Sequence, residues 1–175
     1  MAEATGEAGP QGPAGETPSL TLRRVREEFQ KGVLASHSDV GDDTLVVDRS
    51  TVVAICRFLK QEPGLHYNLF LDLTVVDLLP QTPRFEVVIH LYSIPHKHRL
   101  RIKVALEEDD PSMDTLTGVW RGTDWFEREA WDMYGIVFRG HPNLKRVLLY
   151  EEFEGHPLRK DYPHDLRQPL IGPKN

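Results

Sequence analysis

The chain has 175 residues, 39% hydrophobic and 27% charged, with a formal net charge of −6. That length and balance suit one soluble domain with a real core plus tails, and the negative charge argues against nucleic-acid binding through phosphate neutralisation. No apolar run approaches the ~18 residues of a membrane span, so direct membrane insertion is not expected. The single cysteine, Cys56, excludes an internal disulfide and a four-thiolate iron–sulfur or zinc site within one chain.

Residues 1–18 hold three Glu, four Gly and three Pro, with no Lys or Arg. They lack the apolar stretch of a secretory signal and the Arg-rich character of a mitochondrial presequence. They read as a disordered Gly/Pro-rich tail. A domain is expected over 19–138. Its first helix runs from Ser19 to about Gly32, with Leu22, Val25 and Phe29 on one face and Gly32 as the stop. Two short strands around a Gly-Asp turn follow, then a helix in RSTVVAICRFLKQE, capped by Asp48 or Ser50 and ended by Pro63-Gly64. Cys56 falls in that helix and reads as a buried structural thiol.

Three alternating strands come next. In LFLDLTVVD, Leu69, Leu71, Leu73 and Val75 point one way. In RFEVVIHLYS the inward set is Phe85, Val87, Ile89 and Leu91; in RLRIKVAL it is Leu100, Ile102, Val104 and Leu106. The short links LPQTP and IPHKH imply antiparallel neighbours. The expected fold is therefore α+β: a small, mostly antiparallel sheet with helices covering its apolar face. A further helix lies in TDWFEREAWDMYG. Asp124 and Glu127 resemble a capping box, Arg128 and Asp132 are spaced for an ion pair, and Gly135 ends the helix.

From 139 to 175 the chain contains five prolines and one apolar run, RVLLY. Strong zinc spacings are absent, His96-x-His98 being the one local chelating pair, so no metal site is expected. No nucleophile elbow or phosphate loop appears either. Glu127 and Glu129 face different sides of their helix and make no paired-carboxylate centre. A segment with so little periodicity cannot bury itself in its own core. Its Tyr150, Phe153, Tyr162, His141, His156, Arg146, Arg159 and Lys160 suit an extended partner-docking segment instead. On this view the body folds without the segment, and a companion polypeptide meets the segment's aromatic and ionic groups.

One pattern is specific. Glu127-Arg128-Glu129, Ala130-Trp131, Asp132 and Met133-Tyr134 are followed by His141, Lys145 and Val147-Leu148. The run DMYGIVFRGHPNLKRVLLYEEFEGHPLRKDYP continues the pattern. With LFLDLTVVD and the order of elements before it, this resembles the C-type, 30-kDa subunit of respiratory complex I, the proton-pumping NADH:quinone oxidoreductase, over roughly residues 20–165. The resemblance implies a non-catalytic structural subunit of the hydrophilic arm. It implies that the chain carries no cofactor, the complex's FMN, iron–sulfur clusters and quinone belonging elsewhere. It implies D-type (49-kDa) quinone-site and B-type terminal-cluster subunits as partners, and a peripheral place on the cytoplasmic face of the bacterial cell membrane.

By the same resemblance, Glu127, Arg128, Glu129, Asp132, Tyr134 and Gly135 belong to the family helix. Gly140, His141, Pro142, Lys145 and Arg146 belong to the docking extension, as do Gly155, His156, Pro157, Leu158, Arg159, Lys160, Asp161, Tyr162 and Pro163. The chain stops soon after Asp161-Tyr162-Pro163, which implies a form not fused to the quinone-site subunit. The equivalent subunit of a membrane-bound energy-converting hydrogenase is the nearest alternative. A hydrolase using Glu127 or His141 is a more distant one.

Overall fold

The computed structural model describes residues 19–39 and 41–169; the stretch 1–18 and the last six residues of the expected docking segment lie outside the described residues. Helix α1 (Leu20–Glu28) starts where the Ser19 hydroxyl accepts the Leu22 amide at 3.2 Å, and it buries Leu22 and Val25. It stops at Phe29, one turn before Gly32. Strands β1 (Val33–Asp39) and β2 (Asp42–Val47) form the antiparallel hairpin expected of the Gly-Asp turn. Helix α2 (Val52–Gln61) buries Val52, Ile55, Cys56 and Leu59 against the sheet. Burial pushes the Cys56 thiol well up, so it stays protonated and inert. The helix is capped at Thr51, not at Asp48 or Ser50. The Asp48 carboxylate instead accepts the Ser50 amide, closing a local turn.

Strands β3 (Leu69–Asp77), β4 (Phe85–Ser93) and β5 (His98–Leu106) make the antiparallel meander implied by their short links. The five-stranded sheet has the order β1-β2-β5-β4-β3, and its central strand, β5, pairs in parallel with β2. Link length speaks only of consecutive strands, so that pairing was not foreseeable from it. A bulge between Phe70 and Asp72 corrects the expected alternation of β3. Phe70 opposes Leu91 on the apolar face, while Leu69 and Leu71 are exposed.

The rest of the body is a crossover unit along the β3 edge. Strand β6 (Ser112–Asp114) pairs in parallel with β7 (Val137–Arg139), and helix α3 (Thr123–Tyr134) connects them. Phe70 meets Phe126 edge-on, with ring centroids 5.2 Å apart, and lies 6.3 Å from Trp120. These contacts fix α3 against the sheet and turn its far side toward the carboxy-terminal segment.

Candidate functional site: a strap latched to helix α3

Asp124 does not cap α3. The cap position is Gly122, which has no side chain to offer, and Glu127 is not part of a capping box. The Glu127 carboxylate is fully buried and turns to the segment before the helix. It accepts the Leu116 amide at 2.7 Å and the Thr115 hydroxyl at 2.5 Å. Burial raises its pKa, and those two donors hold the rise back. The expected Arg128–Asp132 ion pair is also replaced. Arg128 lies over the Trp125 ring and donates to the carbonyls of Lys145 and Arg146 at 3.1 and 3.0 Å. Glu129 is exposed on the same helix.

Asp132 is the centre of the site. It is fully buried. Oδ1 accepts from the Arg146 guanidinium at 2.6 Å, and Oδ2 accepts the amides of Val147, Leu148 and Leu149, each at 3.0 Å. Burial would raise its pKa, but the Leu149 amide, the Arg146 guanidinium and the other two amides outweigh burial and hold the carboxyl below its ordinary range. The second Arg146 nitrogen reaches the carbonyls of Phe153 at 2.6 Å and Gly155 at 3.2 Å. The guanidinium itself lies between the rings of Trp131 and Phe153, at 5.6 and 5.5 Å. His156 donates Nδ1–H to the Asp132 backbone carbonyl at 3.0 Å. Burial lowers the His156 pKa, keeping the ring neutral.

Further along, the Leu158 amide bonds to Met133 at 3.1 Å and Arg159 bonds to the Tyr134 carbonyl at 2.5 Å. Gly135 has φ +76°, and a Cβ there would lie 2.6 Å from an Arg159 nitrogen and 2.7 Å from the His156 ring. Glycine is therefore required twice, by the backbone and by the close passage of the segment. A final latch sits at the end of β3. Arg84, itself buried, holds Asp77 at 2.9 Å, Asp161 at 2.6 Å and Glu108 at 2.6 Å. The Lys160 amide reaches Asp77 at 2.8 Å, and the Lys160 ammonium reaches the Leu79 carbonyl at 3.1 Å. Burial opposes ionisation of Asp77, yet Arg84 and the Lys160 and Leu79 amides hold its carboxyl far below normal. Asp161, then Asp77, raises Arg84 in return.

His141 and Tyr162 complete the placement. The Asn143 amide donates to His141 Nδ1 at 3.0 Å, so Nε2 carries the proton and donates to the Asp124 carbonyl at 3.2 Å. Tyr162 stacks on Phe153 at 6.2 Å, and Gly155 (φ +88°) leaves space for that ring. Gly140 makes its turn at φ +79°. Pro142, Lys145 and Pro163 are exposed, and Pro157 is half-buried.

These contacts overturn the expectation that a companion chain must meet the segment's ionic groups. Arg146, Arg159, Asp161 and His156 all find partners on their own body. The outer side of the segment is different. Leu148 is 63% exposed, Leu158 52% and Leu166 48%, and Trp125 on the adjacent helix is 66% exposed. Sequence reasoning also missed Asp77 and Arg84. A signal existed: continuing the Leu73, Val75 alternation puts the Asp77 carboxylate on the apolar face, where it needs a cation.

The family model described as the respiratory-chain NADH dehydrogenase 30 Kd subunit matches residues 45–168, a range that includes Asp77, Arg84, α3 and nearly all of the strap. The C-type NADH-quinone oxidoreductase subunit of Geotalea uraniireducens is 47% identical over 140 residues, covering 80% of this chain and 84% of that one. A Rhizobium etli protein, named as the second of its C-type NADH-quinone oxidoreductase subunits, is 47% identical over 146 residues, covering 83% and 78%. Among solved structures, a trypsin-resistant fragment of Nqo5 superimposes with a TM-score of 0.62 at 32% identity, covering 71% of this chain and 100% of the fragment. A chain of an archaeal membrane-bound sulfane sulfur reductase shares the fold with a TM-score of 0.71 at 19% identity, covering 82% and 84%. With most of its length matched by the family model and by close relatives, the chain belongs to the family of the 30-kDa subunit of respiratory-chain NADH dehydrogenase.

Proposed function

We propose that this chain is a non-catalytic structural subunit of the hydrophilic arm of proton-pumping NADH:quinone oxidoreductase, and that its strap is the surface that braces the D-type quinone-site subunit. The carrying observation is the two-sidedness of the strap. Its charged groups turn inward onto Asp132, Arg84 and the α3 carbonyls, while Leu148, Leu158 and Leu166 are exposed, as is Trp125 on α3. Rigid presentation of apolar and aromatic anchors is what a stable interface requires. The relatives' shared name, at 44–55% identity, supports the NADH:quinone oxidoreductase over the hydrogenase alternative.

The two groups most suited to hydrolysis are already engaged. Glu127 holds Leu116 and Thr115, and His141 is held between Asn143 and Asp124. This supports a structural role for both. On the same reading, FMN, the iron–sulfur clusters and quinone sit on other subunits, and the B-type subunit is the second neighbour. No helix among the described residues is long and apolar enough to cross a membrane. The complex therefore provides the attachment to the cytoplasmic face.

Replacing Leu148 and Leu158 together by Glu removes two anchors and leaves every latch intact. Each buried anchor is worth ~1.5–3 kcal/mol, so recovery of the 49-kDa-type subunit with the tagged full-length chain is expected to fall by at least about tenfold. Circular dichroism is expected to stay unchanged. Full recovery of that subunit with the double variant would rule out the strap as the bracing surface.

A further inference from the structure

The helices that build the core cover one face of the sheet. Leu73, Val75, Val87, Ile89, Ile102 and Val104 join residues of α1 and α2 in the core cluster, whereas Val88, on the opposite face, stays outside it. The register sets the side chains of that opposite face in rows across the strands. Leu69 faces Tyr92, which faces Arg99; Asp72 faces His90, which faces Arg101; Val76 faces Glu86. Among the described residues, no side chain in these rows is hydrogen-bonded or ion-paired to a helix or to the strap.

This face is divided lengthwise. Along β3 it is apolar: Leu69, Leu71 and Val76 are exposed, and the half-buried Tyr92 beside them on β4 has no hydrogen-bond partner among the described residues. Along β5 it is cationic. Glu86 neutralises Lys103 at 2.9 Å. Arg99, exposed, and Arg101, half-buried, have no ion-pair partner among the described residues. Asp72 and Asp42 are near enough to act on His90, yet neither closes an ion pair with these arginines. Burial, then Arg101, lowers the His90 pKa, so His90 adds no charge near pH 7. Two guanidinium groups thus stand without an acceptor, and each has five donors to satisfy.

We propose that this face seats an α-helix of a companion polypeptide, laid along the strands, with apolar residues against β3 and two carboxylates one turn apart on Arg99 and Arg101. The dimensions match. Strands β3 and β5 lie two strand spacings apart, about 9.6 Å, and a helix with its side chains is about 10–12 Å across, so one helix touches both sides. Two residues apart on a strand, Arg99 and Arg101 are separated by about 6.6 Å; positions i and i+4 of a helix set their Cβ atoms about 5–6 Å apart. Charge selects the occupant. The chain carries −6 overall, so a nucleic acid would meet two cations and net repulsion from the rest. Because β5 is the central strand, a second copy stacked face to face by two-fold symmetry would set guanidinium toward guanidinium. An acidic amphipathic helix suits both halves of the face. The proposal rests on the chain being a subunit of a larger complex, and it adds a contact surface separate from the strap.

The test is photocrosslinking within the complex that copurifies with the tagged full-length chain. The photoreactive residue p-benzoylphenylalanine is placed at position 92, and the joined peptide is identified by mass spectrometry. The expected product links position 92 to a helical segment of another subunit that carries acidic residues four apart. Arg99→Glu/Arg101→Glu is expected to cut its yield about tenfold or more, and exchanging the two partner acids for Lys is expected to restore it. No crosslink to another subunit overturns the proposal. So does a crosslink to a second copy, to lipid or to a segment without acidic residues, or a yield indifferent to the charge reversal. The same probe at position 125 reports the strap side: a crosslink there with none from position 92 overturns this proposal and leaves the bracing role of the strap standing. Should the Arg99→Glu/Arg101→Glu chain prove unfolded by circular dichroism, Arg99→Ala/Arg101→Ala decides by the same yield.

Discussion

Asp132 shows how one side chain organises a segment without secondary structure of its own. Its two oxygens take four donors from four consecutive residues, 146–149, so the chain must turn around the carboxylate to satisfy them. The fixed point sets where Arg146 lies, and Arg146 in turn fixes Phe153 and Gly155 through their carbonyls. Replacing Asp132 by Asn keeps the size but removes the charge and aims an amide group at donors. A buried ion pair broken from one side typically costs ~3–5 kcal/mol, and the expected result is a loss of that order in the urea-unfolding free energy. A variant with the wild-type midpoint would show that the carboxylate charge does not hold the strap.

At the scale of elements, α3 is a plate with two working faces. One face packs on Phe70 through Phe126, and the other carries Asp132 and the carbonyls that receive the strap. The pH response of this joint follows from the shifted groups. Asp132 and Asp77 have lowered pKa values, so their contribution is present above about pH 3.9 and lost as pH falls through their folded values. His156 is also lowered, so its contribution begins to fade earlier, below about pH 6.5. Glu127 is raised and acts with the opposite sign: its contribution is present at low pH and lost as pH rises through its folded value. Stability is therefore expected to decline in two stages on acidification, the first shared with the lowered His90 and His98. His156→Gln is expected to shrink the first stage and leave the second, as read from urea unfolding at a series of pH values. An unchanged first stage would remove His156 from the joint. The elements themselves were largely legible in the sequence. Periodicity locates α1, α2 and the meander, because burial on one face imposes a local repeat, and Gly135 marks the end of α3. What was not legible depends on distant partners. The bulge at Leu71 re-aims β3 so that Phe70 meets α3, β2 pairs in parallel with a strand more than fifty residues later, and Glu127 and Asp132 serve backbone amides outside their helix.

For the whole molecule the question is whether the strap is an appendage or part of the fold. Lack of periodicity marks the segment from residue 139 onward as unable to form a core, which is correct for the exposed Leu148, Leu158 and Leu166 and misleading for its charges. Those charges complete buried sites that the body alone leaves open: Asp132 lacks four of its donors without the strap, and Arg84 loses Asp161. Deleting residues 145–175 is therefore expected to lower the melting temperature of the remaining chain substantially, because the strap's bonds to Asp132 and Arg84 are lost together. The same reasoning predicts a reversal of sign. In the full-length chain Asp132→Leu destabilises, because it strips Arg146 and three amides of their acceptor. In the truncated chain Asp132→Leu restores part of the lost stability, because no donor remains and a carboxylate in the last turn of α3 opposes the helix dipole. Thermal unfolding of the four proteins, followed by circular dichroism, reads both effects. A truncated chain that melts with the full-length one, or an Asp132→Leu change of the same sign in both backgrounds, would mean that the strap merely lies on the body and does not complete it.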